Sequence, residues 1–128
     1  MPTADQQPRP GATRVLVEHV AERAAVVAVV GGEIDASNAA RLATGIVAAV
    51  DVAFAESARH LVVDMSAVGF CGSAGLGALV NGRRYAGGRG FDLVIVAAEH
   101  SPVRHVLTLT DLASAFTVHA SLDQALAS

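Results

Sequence analysis

The spacing of apolar and polar positions changes several times along the chain, and each change marks an element. Residues 14–20 and 24–30 are rich in valine and are separated only by Ala21-Glu22-Arg23, a connection short enough for an antiparallel hairpin. After Gly31-Gly32 the period lengthens. Leu42, Ile46, Val50 and Phe54 recur every four residues and predict a helix over residues 37–55 with one apolar stripe, capped by Asp35 or Ser37. Two short apolar runs, residues 60–65 and 91–96, alternate poorly, which predicts strands covered on both faces.

Between those runs, Leu76, Leu79 and Val80 keep helical spacing from Ser73 to about Tyr85 despite Gly75, Gly77 and Gly82. Pro102 suits the first turn of a helix ending near Thr110, with Val103, Val106 and Leu107 on one face. Residues 115–118 read as a last strand. Ser121 and Gln124 have capping-box spacing at the start of a short final helix. The expected order is β-β-α-β-α-β-α-β-α. This is an α/β fold, a mixed sheet entered through an N-terminal antiparallel hairpin, with helices packed against it. Residues 1–12 are polar and proline-rich and are expected to form a flexible tail before a single domain over residues 13–128.

Composition narrows the function. At 128 residues with 52% hydrophobic and 16% charged positions, the chain is expected to fold as one compact domain. A net charge of -3, with nine scattered Lys and Arg residues, argues against direct nucleic-acid binding. Cys71 is the only cysteine, which excludes an internal disulfide and fits a reducing compartment. The start lacks the apolar stretch of a signal peptide, and no run approaches the ~18 residues of a membrane span, so a cytoplasmic protein without membrane insertion is expected. The five histidines lie in separate segments without metal-ligand spacing, and no metal or cofactor is expected. Arg83, Arg84 and Arg89 around Tyr85 form a basic patch that reads as a solvated helix end.

The segment with the most chemistry joins the strand ending near Met65 to the helix starting at Ser73, through Gly69-Phe70-Cys71-Gly72. A serine here starts a helix at the carboxyl edge of the sheet, where α/β folds place ligand and partner sites and free N–H groups favour an anion. Gly72, Ala74 and Gly75 leave its hydroxyl uncrowded. Local chemistry alone leaves two readings open, a helix cap and a phosphate acceptor. Catalysis is disfavoured, because the glycines fit neither Gly-x-Gly-x-x-Gly nor a P-loop, and Gly72-Ser73-Ala74-Gly75 is not a Gly-x-Ser-x-Gly elbow. Cys71 has no basic neighbour in sequence and reads as a buried thiol.

Three stretches in order resemble the STAS domain of bacterial anti-sigma-factor antagonists and sulphate transporters. They are Gly32-Glu33-Ile34-Asp35 with Arg41-Leu42, then Asp64-Met65-Ser66 through Val68 and Phe70 to Ser73-Ala74-Gly75-Leu76-Gly77, then Ser101-Pro102 through Val106-Leu107 to Leu109-Thr110-Asp111-Leu112. The resemblance implies a partner switch. An anti-sigma factor with serine-kinase activity binds the unphosphorylated antagonist and releases its sigma factor; phosphorylation ends the contact and a serine phosphatase restores it. It puts Ser73 at the phosphoacceptor position, with Asp35, Gly72, Ala74 and Gly75 as neighbours and Ser73, Leu76 and Gly77 on the partner-binding surface. Two positions depart from the pattern: Gly72 stands where many regulatory members have an acidic residue, and Asp111 where glycine is usual. The alternative is a STAS scaffold or adaptor in a signalling or lipid-transport assembly, using the same surface without phosphorylation.

Overall fold

The computed structural model describes residues 13–127; the expected tail lies outside the described residues. The chain opens with the hairpin, β1 (Arg14–Val20) and β2 (Ala25–Ile34), turned by a short 3-10 segment at Ala21–Arg23. Ala24 closes the turn with φ 50 and donates its N–H to the Ala21 carbonyl at 3.0 Å. Then follow α1 (Ala39–Ala55), β3 (His60–Cys71), α2 (Ser73–Gly88), β4 (Leu93–Val96), α3 (Pro102–Leu109), β5 (Thr117–His119) and α4 (Leu122–Leu126). The strands form one five-stranded sheet in chain order, with β1 antiparallel to β2 and all other neighbours parallel. The predicted order and fold class hold.

The parity of each strand decides which face it feeds. Val26, Ala28 and Val30 of β2, with Leu61 and Val63 of β3 and Leu93 and Ile95 of β4, join the buried stripes of α1, α2 and α3 in the main core. Val27, Val62 and Val96 point the other way and, among the described residues, are covered by the short α4 through Leu122, Ala125 and Leu126. Leu61, Val62 and Val63 are all buried, as expected for a strand covered on both faces.

Several boundaries and caps differ from the sequence-based expectation, each for a local reason. The cap of α1 is neither Asp35 nor Ser37. Asn38 occupies that position, and its side chain reaches backwards, accepting from the Asp35 N–H and donating to the Glu33 carbonyl, both at 2.9 Å. Asp35 accepts from the Ser37 N–H at 2.9 Å, so its carboxylate closes a turn instead of a helix end. Phe54 leaves the α1 stripe and is 56% exposed, because steps of four residues drift around a helix of about 100° per residue. Ala49 and Ala53 take the buried places instead. Pro102 lies in the first turn of α3 as expected, where Ser101 accepts from the Arg104 N–H, and at α4 the expected Ser121 accepts from the Gln124 N–H, both at 3.2 Å.

The largest difference is in β3, which runs to Cys71 instead of stopping near Met65. Beyond Asp64 it pairs, among the described residues, with β2 and not with β4, and two register shifts there place extra residues on the β3 side. The first lies between the Val29–Asp64 and Gly31–Ala67 pairs, the second around Gly69. At the first, Asp64 accepts from the Ser66 N–H at 3.0 Å and supplies the acceptor that an irregular ladder lacks.

Candidate functional site

The extension of β2 and β3 builds the site. Ile34 pairs with Cys71 at the carboxyl ends of the two strands, and the Ile34 carbonyl accepts from the Gly72 N–H at 2.9 Å. Asp35 is thus held beside the Gly72-Ser73 step, so two of the three motif stretches meet at one edge of the sheet.

Gly72 is the N-cap of α2, and Ser73 is its first helical residue. The capping reading of Ser73 is therefore not what the backbone adopts. Among the described residues no side chain caps this helix, and its first turn has no acidic residue. The first intrahelical bond is from the Leu76 N–H to the Gly72 carbonyl at 3.1 Å, which leaves the N–H groups of the first turn facing outwards. Ser73 is exposed, Ala74 is half-buried and Gly75 is buried. An exposed hydroxyl on an uncapped, positive helix end suits an anion electrostatically.

The glycines of this turn have different tasks. A Cβ on Gly75 would meet Cys71 Sγ and Ile34 Cγ2, each at 2.8 Å, so glycine lets the helix start press against the ends of β2 and β3. Gly77 is exposed with nothing within 4 Å of a Cβ, and it leaves a flat place on the outer face of α2. Gly72 has φ -85 and ψ -177, extended backbone that any residue adopts, and a Cβ there would lie 3.4 Å from the Phe70 ring. Leu76 is turned inwards, only 7% exposed, and belongs to the core beneath this surface.

Two neighbours were not singled out as site residues by sequence reasoning. Phe70 is 50% exposed on the extended end of β3, opposite the exposed Glu33. In the sequence Phe70 stands in the segment that joins strand to helix, as part of the family motif; the register shift at Gly69 is what turns it outwards from the strand end. Asn38 buttresses the Asp35 turn, three residues from the aspartate it supports.

Electrostatics divide the site into a charged and an inert part. The Asp35 carboxyl is held below its usual range, first by the Ser37 hydroxyl and then by the Ser37 and Asn38 backbone, so it remains a carboxylate. Burial pushes the Cys71 thiol up to about 11, as expected for an unreactive core thiol. At the far end of α2, Tyr85 and Arg89 of the basic patch are tied to α1, while Arg83 and Arg84 are exposed: Tyr85 donates to Asp51 at 2.6 Å, and Arg89 lies 3.8 Å from Asp51 and 5.0 Å from the Phe54 ring centre. Among the described residues, no helix is long and apolar enough to cross a membrane.

The chain is thus a mixed α/β domain, with three helices on one face of the sheet, a short helix on the other, and the start of α2 at the carboxyl edge. The STAS domain family model matches residues 17–125, and the chain belongs to that family. An anti-sigma factor antagonist from Mycobacterium paratuberculosis is 33% identical, with a TM-score of 0.73 over 94% of this chain and 96% of that one. The antagonist SpoIIAA in its unphosphorylated form has a TM-score of 0.60 at 17% identity, covering 87% of this chain and 92% of that one. The Bacillus cell fate determinant SpoIIAA in its phosphorylated form gives 0.58 at 20% identity, covering 88% and 96%. The fold is thus that of anti-sigma factor antagonists.

Proposed function

We propose that the protein is an anti-sigma factor antagonist that binds an anti-sigma factor with serine-kinase activity and is switched off by phosphorylation of Ser73. The observation that carries this reading is the exposed Ser73 hydroxyl on the first residue of an uncapped helix. The similarity to antagonists, one of them a phosphorylated form, supports the same role.

The switch follows from charge and desolvation. In the free protein a phosphate on Ser73 lies at the positive end of α2 and in water, so the fold tolerates it. In a complex the same group, of about -1.5 to -2 charge, loses water against the partner beside the Asp35 carboxylate. A penalty of about 2.8 kcal/mol weakens binding about a hundredfold. The docking surface comprises Ser73, Gly77 and Phe70, with Asp35, Gly72, Ala74 and Gly75 shaping the acceptor turn. Leu76 supports it from the core. A serine phosphatase reverses the modification.

Incubation with the anti-sigma factor and ATP, followed by peptide mass spectrometry, tests the acceptor. Phosphate is expected on Ser73 and absent from Ser73→Ala, which keeps partner binding. Retained binding with no phosphate at Ser73 would overturn the switch and favour a permanent adaptor.

A further inference from the structure

The sheet ends at β1, whose outer edge has no strand beside it among the described residues. Val15 and Val17 face α1 and pack on the main core, whereas Leu16 points to the opposite face and is 59% exposed. Leu16 pairs with half-buried Val29 across the hairpin, so an apolar strip crosses the edge of the face that α4 leaves open. Arg14 and Glu18 are exposed on the same face, and neither has an ion-pair partner among the described residues. The Arg14 guanidinium lies over Gly31, where a Cβ would stand 2.9 Å from Nη2.

The order Arg14-Val15-Leu16-Val17-Glu18 is self-complementary about its centre. When a strand pairs antiparallel with a second copy of itself about a two-fold axis, residues equidistant from the axis become cross-strand partners on one face. With the axis at Leu16, Leu16 meets Leu16 of the second copy, Val15 meets Val17, and Arg14 meets Glu18 twice. Val15 lines an open groove between β1 and α1, of about 510 Å³, with Thr13, Ala40, Arg41, Thr44 and Gly45, and this is where Val17 of the second copy arrives beside it.

We propose that β1 is a self-association edge, through which two copies join antiparallel about Leu16 into one continuous sheet. Paired edges satisfy the outward N–H and C=O groups of β1, and the charge order fixes the register. The start of α2 follows β3, two strands inwards, so the self-association uses a surface different from that of the proposed switch.

Analytical ultracentrifugation of the intact chain over rising concentration should show reversible conversion to twice the chain mass. Arg14→Glu and Glu18→Arg should each weaken association at least about fivefold, and the two together should restore it, which a merely structural effect would not do. Under mild oxidation Leu16→Cys should cross-link with itself. Glu18→Cys should cross-link only when mixed with Arg14→Cys, and the unaltered chain, whose thiol is buried, should not cross-link. A chain that stays monomeric at every concentration, or cross-links equally from Leu16→Cys and Glu18→Cys alone, would overturn the proposal. A monomer in which Leu16→Asp weakens anti-sigma-factor binding would assign the edge to that partner instead.

Discussion

Individual residues around the α2 start separate the fold from the surface it displays. Gly75 is a packing requirement, so Gly75→Ala should cost about 1–3 kcal/mol as its methyl meets Cys71 and Ile34. Gly77→Ala should do the reverse, stabilising the exposed helix by up to about 1 kcal/mol, while its methyl weakens partner binding on the flat face. Urea unfolding and titration with the partner read the two effects separately. Cys71 supplies a pH test. Its thiol moves from 9.0 to about 11 on burial, so the unfolded chain releases the proton first, and stability present below pH 9 declines as pH rises towards 11. Unfolding midpoints across that range should fall for the native chain and fall less for Cys71→Ala. The residue types were legible from sequence, but not these divisions of labour. Gly75 and Gly77 look alike in the chain and differ only in what lies opposite. Asp111, the other departure from the family pattern, has φ 60, which explains why glycine is usual there and how an aspartate can replace it.

Among the elements, those with long periodic patterns were readable and those fixed by pairing were not. The hairpin and the three larger helices follow from spacing alone. The end of β3 does not, because residues 66–71 lack the alternation of a regular strand, and their two register shifts are set by β2. Since Ile34 reaches Gly72 through that extension and brings the adjoining Asp35 to the same sheet edge, the juxtaposition at the site was invisible to local pattern and came from the family resemblance. The approach of α1 to α2 is likewise tertiary. A Cβ on Gly82 would lie 2.6 Å from Ile46 Cγ2, so the glycine sets how closely the two helices approach. Gly82→Ala should therefore destabilise the protein by about 1–3 kcal/mol, and adding Ile46→Ala should cost less than the sum of the two. A double-mutant cycle in urea checks the sign; strict additivity would mean that this contact is not what spaces the helices.

At the scale of the molecule, a rigid sheet carries functions at different places. In the proposed reading the uncapped α2 start offers Ser73 to a partner and to phosphate, while the proposed self-association edge at β1 offers a self-complementary strand to a second copy. Neither requires the core to rearrange, since both use groups already exposed. In the proposed switch, phosphorylation is a change of surface charge on a constant fold, and its cost falls on the complex and not on the free protein. Isothermal titration of the cognate anti-sigma factor with unmodified and Ser73-phosphorylated protein tests this most directly. The phosphoserine switch predicts binding at least about a hundredfold weaker after modification with the unfolding midpoint little changed. Equal affinity for the two forms would contradict it.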